Sequence, residues 1–322
     1  MGSTGHESGA VTLATLPSGM AVTTRLHRYE GTADGPTVYI QGAQHGRELN
    51  GTDVLRRLHD RLDPDEMRGR VLAVPVANPL AFDNRSYLTP RRLDAMHANM
   101  NRVWPGDEAG SLVERMAATL WEYVADADAV VDLHTGSPET AAHVVYMADH
   151  DRSRALSRAF DVDLLLGERV GEDAPAEWDE RSFDGKLRTT ATLAGIPAVT
   201  PELGDSRRLD EAAVETGVAG VERLLRMVGV LPGGADPPDG HTLARNHLGR
   251  VEAAHSGLFR PDPSLAVGAD VGEGDRLGVV YGPSTYETLE TVRAGHDGVL
   301  YAVTRQSTVV AGERVASVAL RD

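Results

Sequence analysis

Two imidazoles and one carboxylate are the side chains that hold a catalytic zinc ion while leaving a fourth position open for water. Gln44-His45-Gly46-Arg47-Glu48 supplies one His and one Glu, and Asp132-Leu133-His134-Thr135-Gly136 supplies a second His. His45 and Glu48 are three residues apart, so at a strand-to-helix junction both side chains can turn toward one point. The expectation is a metal centre on His45, Glu48 and His134. The chain has no cysteine, so any metal must be held by His and carboxylate.

A water activated in such a centre needs a base, and a carboxylate is the usual one. Glu202 is the candidate, in Ile196-Pro197-Ala198-Val199-Thr200-Pro201-Glu202-Leu203-Gly204 at the end of an expected strand. Asn101 and Arg102 lie in Asn99-Met100-Asn101-Arg102-Val103-Trp104-Pro105-Gly106. Together they offer an amide and a flat guanidinium fork, which grips a carboxylate in bidentate fashion. Arg85 and Tyr87 are two candidates for polarising a carbonyl or stabilising an oxyanion. Arg188 would add a second anionic contact. His59, His97, His143, His150, His241, His247, His255 and His296 read as structural or solvated, with His97 and His143 nearest the expected pocket. There is no Gly-x-Ser-x-Gly elbow, thiol or P-loop, so serine hydrolase, thiol enzyme and nucleotide hydrolase are poorly supported.

The elements that must position these residues follow from periodicity. Apolar runs predict strands at Thr37–Gln41, Val71–Val76, Ala129–Leu133, His143–Met147 and Pro197–Thr200. Helical spacing predicts helices from after Glu48 to about Leu62, and over Ser111–Val124, Ser182–Leu193 and Glu211–Val228. Leu16–Val22 reads as a turn within an edge hairpin. The alternation defines an α/β domain over residues 1–230, whose ligands collect outside the carboxyl ends of strands. The Pro- and Gly-rich run Leu231–Gly240 reads as a linker. Residues 241–322 then break into short strands separated by glycines, a small all-β module. Gly272, Gly274 and Gly278 have no helix after them and read as turns rather than as a phosphate loop.

The 322 residues, 41% hydrophobic, suffice for one large domain and a small one. No apolar run approaches the roughly 18–20 residues of a membrane span. The N-terminus lacks a basic start and an apolar stretch, so no signal peptide is expected, and a cytoplasmic location is. Net charge is −16, and Lys186 is the only lysine among 32 basic residues. Such a surface suits solubility in high salt and repels nucleic acid and anionic membranes.

Taken in order, these motifs resemble the succinylglutamate desuccinylase/aspartoacylase family, relatives of zinc carboxypeptidases. Gly42–Gly51 is similar to the family's first zinc motif and Asp132–Gly136 to its second. Asn101–Gly106 is similar to its substrate-carboxylate motif, and Glu202-Leu203-Gly204 to its catalytic-glutamate motif. The likeness is strongest to the branch with a C-terminal β-module, which includes deacetylases of N-acetylated diamino acids in ectoine breakdown. It implies a carboxypeptidase-like fold, a mixed and mostly parallel sheet flanked by helices, followed by a barrel-sandwich-like β-module. It also implies one zinc on His45, Glu48 and His134, with Glu202 activating the attacking water and passing its proton to the leaving amine. Asn101 and Arg102 would hold the carboxylate of a small N-acyl amino acid. Two departures stand out: either Arg85 or Tyr87 can occupy the oxyanion position, and the stretch between Thr89 and Asn99 is longer than the family link.

A zinc carboxypeptidase acting on short peptides would carry the same metal site, and is the main alternative. A non-catalytic binder of metal or acyl amino acid would lack the base. A biotinyl or lipoyl carrier needs a lysine on an exposed hairpin of the β-module, and Lys186 lies outside it. The module therefore reads as a lid or as an element of homo-oligomer formation.

Overall fold

The computed structural model describes residues 5–136, 140–170, 178, 182–245, 249–304 and 308–321. His247 and the first four residues lie outside these. A long hairpin opens the chain, β1 (Gly5–Thr15) and β2 (Ala21–Glu30). It turns at Pro17-Ser18-Gly19, where Gly19 adopts φ +85°. There follow β3 (Ala33–Gly42), α1 (Asn50–Arg61), β4 (Arg68–Val74), α2 (Pro79–Asp83), α3 (Leu112–Val124), β5 (Ala129–Gly136) and β6 (His143–Met147). Next come α4 (Asp151–Ser157), β7 (Leu164–Glu168), α5 (Leu187–Leu193), β8 (Ala198–Asp205) and α6 (Glu211–Val228). The last part is all strand: β9 (Thr242–Arg245), β10 (Arg250–Glu252), β11 (Gly257–Pro261), β12 (Asp270–Val271) and β13 (Arg276–Tyr281), then β14 (Thr288–Arg293), β15 (Gly298–Val303), β16 (Thr308–Val309) and β17 (Arg314–Arg321).

The main sheet runs β1-β2-β4-β3-β5-β8-β6-β7-β9 and continues into β17-β15-β12. Its centre is parallel, from β4 through β3 and β5 to β8, and β6, β7 and β9 are parallel to one another. Both faces are covered, and the two-residue period of a strand decides which core each side chain enters. Val38 and Ile40 of β3 and Val131 of β5 pack against α1 and α6, through Val54, Leu58, Val218 and Leu225. Tyr39 and Val130, one residue out of phase, pack on the other face against Val113, Met116 and Leu120 of α3 and Leu187 of α5. A second sheet, β14-β13-β11-β16, closes the C-terminal region around Phe259, Leu277 and Val315. β9 pairs with β7 on one side and β17 on the other, so the β-module's larger sheet is hydrogen-bonded to the catalytic sheet.

Three expectations shift. The helix expected over Ser182–Leu193 is a 3₁₀ turn, Phe183–Gly185, followed by α5. Ser182 stands at φ +49° and Lys186 is extended, which interrupts the helical ladder. The strand expected at Pro197–Thr200 runs on to Asp205, so Glu202 lies within β8 rather than at its end. Pairing with β5 on one side and antiparallel β6 on the other carries the strand past Thr200. The second strand starts earlier, at Arg68, and ends at Val74.

Candidate active site

The site forms where β3 and β5, apolar in their central residues, surface side by side at their carboxyl ends. After β3 the backbone turns through Ala43 at φ +48° and delivers His45 and Glu48 just before α1. The turn is tight. A Cβ on Gly46 would lie 2.2 Å from the Ala81 backbone, and one on Gly51 2.7 Å from Leu133 Cβ, so α1 presses directly on β5.

Glu48 bridges the two histidines. Its Oε1 is 2.9 Å from His45 Nδ1 and its Oε2 is 2.9 Å from His134 Nδ1. All three residues are buried, and their donor atoms lie within 4.8 Å of one another. The second nitrogen of each ring is engaged too. His134 Nε2 is 2.8 Å from Asp132 Oδ2, and His45 Nε2 is 3.2 Å from Asn99 Oδ1. Asp132 is fixed in turn by Gln41 Nε2 at 2.9 Å and Gln44 Nε2 at 3.0 Å. Trp104 Nε1 donates to Gln44 Oε1. Metal-binding imidazoles are oriented in this way, with one nitrogen toward the ion and the other on a protein acceptor. The donor set therefore fits a divalent metal, with both Nδ1 atoms and the Glu48 carboxylate facing a common point.

The electrostatics agree. Burial disfavours an ionised Glu48, but His45 and His134 outweigh it and hold the carboxyl well below the usual range. Burial also opposes protonation of His134, but Asp132 and Glu48 hold that imidazole well above its ordinary value. Without an ion, the Glu48 and Asp132 carboxylates thus draw positive charge onto His134, the place a divalent cation would take.

Glu202 faces this group from β8, with its Cα in register with both His134 and His143. Burial pushes its carboxyl up to about 7; His134 counters this, and Glu48 and Asp132 reinforce it. A carboxyl poised near neutrality can take and return a proton.

The cavity in front of these residues has a volume of about 760 Å³, within the range of small-molecule sites. Tyr87, Asn101, Arg102 and Arg188 all line it. The Tyr87 ring stacks on His45 at 4.1 Å between centroids and is 46% exposed at the mouth. Desolvation and the Glu48 and Glu202 carboxylates raise its phenol above the ordinary range, so the hydroxyl keeps its proton. Asn101 is buried and accepts the Leu187 N–H with Oδ1 at 3.1 Å, which anchors it to the start of α5. Arg102 lies over the Phe183 ring, 5.3 Å from its centroid. Arg188 is buried, with Nη1 donating to Thr200 Oγ1 at 3.0 Å and Nη2 to Glu168. Arg85 is a correction. It is exposed at φ +53° in the turn after α2 and lines a separate depression with Gly46, Arg47, Phe82 and Arg207. Tyr87 is therefore the member of that pair that reaches the cavity.

Sequence reasoning missed several wall residues. Lys186 donates to Glu168 Oε1 at 2.9 Å beside Arg188, so two cations share one carboxylate on the cavity wall. Burial pulls the Lys186 ammonium down to about 8; Glu168 opposes this, and Arg188 and Arg102 add to it. The rarity of lysine was the available signal. His143 also lines the cavity, donating from Nδ1 to Ala141 O at 2.8 Å, and burial lowers its imidazole to about 4. His97 lies elsewhere, 3.7 Å from Glu114. Tyr301, Arg314 and Ser317 come from β15 and β17, so the β-module supplies part of the wall. Asn50, buried, donates to Leu203 O at 2.8 Å and accepts from Asp210 N at 3.0 Å, tying α1 to the Glu202 strand and to α6.

This sheet, with a His-Glu-His cluster at its carboxyl edge and a carboxylate opposite, is the architecture of a deacylase family. Residues 34–228 match the succinylglutamate desuccinylase/aspartoacylase catalytic domain, and the chain belongs to that family. It is 30% identical over 301 residues to N-alpha-acetyl-L-2,4-diaminobutyric acid deacetylase of Halomonas elongata, covering 89% of this chain and 82% of that protein. Among solved structures it is similar to a succinylglutamate desuccinylase/aspartoacylase from Rhodobacter sphaeroides. There the TM-score is 0.83 and the identity 25%, over 99% of this chain and 97% of that one. The product-bound ectoine utilization protein EutE (DoeB) from Ruegeria pomeroyi shares the fold, with TM-score 0.86, 23% identity and coverage of 99% and 96%. Among the described residues, no helix is long and apolar enough to cross a membrane.

Proposed function

We propose that this chain is a zinc-dependent amidohydrolase that removes an acyl group from a small N-acyl amino acid. The observation that carries the reading is Glu202 facing the His45-Glu48-His134 group across a cavity walled by Arg102, Lys186 and Arg188. His45, Glu48 and His134 would hold the metal, which would supply Lewis-acid activation of water and of the acyl carbonyl. Glu202 takes the proton of the attacking water and returns it to the amine nitrogen as the C–N bond breaks. The Tyr87 hydroxyl donates to the oxygen that gains charge. Arg102, with Asn101 and Arg188 beside it, binds the substrate carboxylate. The wall contributed by Tyr301 and Arg314 favours a small substrate over a peptide, and the Halomonas elongata deacetylase points to an acetylated diamino acid.

The test is amine release from a panel of N-acetyl, N-succinyl and N-formyl amino acids, including the acetyl-diaminobutyrates, with and without chelator. Chelator-sensitive hydrolysis of one member is expected. Silence across the panel with cleavage of short peptides would move the chain to the carboxypeptidase reading.

A further inference from the structure

Far from the cavity, three more imidazoles converge on the outer edge of the sheet. His6 lies in β1, His27 in β2 and His59 in the last turn of α1. His6 pairs in register with Tyr29, and residues 27 and 29 point to the same side of β2, so His6 and His27 share a face. That face meets α1, where Tyr29 packs with Leu55 and Leu58 in one core. The result is a compact group: His6 Nε2 is 3.1 Å from His27 Nδ1, and the His6 and His59 ring centroids are 4.7 Å apart. One nitrogen from each ring lies within 4.8 Å of the others.

We propose that His6, His27 and His59 form a second metal site, for a divalent ion of the zinc, copper and nickel group, that clips the sheet's edge strand to α1. Imidazole suits these ions, and three nitrogens around zinc sit about 3.3 Å apart at ordinary Zn–N lengths. The His6–His27 contact already matches that separation. His59 Nδ1 is 3.0 Å from the Tyr29 hydroxyl, which orients the ring and leaves Nε2 for the ion. Three imidazole nitrogens leave the remaining positions to water on an exposed face. Such a site is structural in placement, because it joins two strands at the sheet's edge to the last turn of a helix.

The clip has something to hold. β1 is the terminal strand of the sheet, and its first six residues, Gly5 to Ala10, are almost wholly exposed. They are tied to the body through β2 pairing rather than through a core. A metal joining His6 to His59 would bind that segment to the helix.

The experiment counts zinc by mass spectrometry after equilibrium dialysis of the chelator-stripped full chain in high KCl. It is paired with amide hydrogen exchange of residues 5–10. Wild type should hold two equivalents and slow exchange of that segment when zinc is added. The surface double variant His6→Ala/His59→Ala should hold one equivalent, lose the zinc-dependent protection and keep its hydrolytic rate. Glu48→Ala should lose the other equivalent and keep the protection. A single equivalent in wild type would overturn the proposal, as would a second equivalent that survives in the double variant.

Discussion

His45 and His134 share a carboxylate inside the molecule, while His6, His27 and His59 meet on its surface with no carboxylate among them. Both groups bring donor atoms within 4.8 Å, so proximity alone does not separate them. What differs is the surrounding shell. In the inner group the outer nitrogens rest on Asn99 and Asp132, and Asp132 is held by two glutamines. In the outer group the rings mostly stack on one another and on Tyr29. Preorganisation and a charged ligand favour tight metal binding; a few exposed imidazoles favour weaker binding. Only the inner group also has a carboxylate facing it, Glu202, the proposed base.

The largest effect should come from removing that base. Glu202→Gln preserves shape and lets the inner group keep its metal, yet it removes the acceptor for the water's proton. We expect kcat to fall about 10²–10⁴-fold, the usual span for general acid–base catalysis. Metal content by mass spectrometry should stay at the wild-type value. Near-normal turnover would remove Glu202 from the role and leave the contrast between the two groups resting on the shell alone.

A smaller change tests the shell itself. Asp132→Asn keeps a polar side chain beside His134 Nε2 but removes the charge that raises the ring's basicity. Metal affinity of the inner group should drop about 10–100-fold, read by competition with a chelator. The outer group should be unaffected, since Asp132 lies on β5 and touches none of its members. Unchanged inner affinity would mean that Glu48 alone accounts for the difference.

Much of this was legible in the chain. Apolar runs located the central strands because a parallel strand covered on both faces is apolar through its middle, as at Ala129-Val130-Val131 of β5, with polar residues only toward its carboxyl end. The helix over Ser111–Val124 followed from helical spacing, and in the structure a capping box starts it, with Ser111 and Glu114 each bonded to the other's backbone. The His-x-x-Glu spacing at a strand-to-helix junction pointed to His45 and Glu48, which the structure brings together with His134, and the strand ending near Glu202 pointed to the carboxylate that faces them. The outer histidines were not legible. His6, His27 and His59 are scattered over three elements, and only the hairpin register and the docking of α1 bring them together. Lys186 and Glu168 escaped for a similar reason, since a long-range buried pair leaves no local pattern. Arg85 and Tyr87 could not be told apart from the sequence, since two residues in one turn line different depressions.

The smallest effect concerns the loop between α2 and α3. It carries Asn99, the acceptor on His45, and has no counterpart at the outer group. Asp94 pins it: Oδ1 accepts the Met96 and His97 N–H groups at 3.0 and 2.9 Å, and Oδ2 accepts the Val113 N–H at 2.9 Å. Burial alone would raise this carboxyl, but those three donors and Ser111 hold it below 3.8. A depressed folded value means that ionised Asp94 stabilises the fold above pH 3.8, and that this contribution fades as pH falls through the folded value. Asp94→Asn, which cannot accept at both oxygens, should cost about 1–2 kcal/mol near neutrality. Urea midpoints of the two proteins should converge as the pH is lowered past 3.8. With Asn99 less firmly held, inner metal affinity should weaken slightly at neutral pH while the outer group holds its own. A midpoint difference independent of pH would show that Asp94 acts through shape rather than charge, and that the loop's grip on His45 does not depend on it.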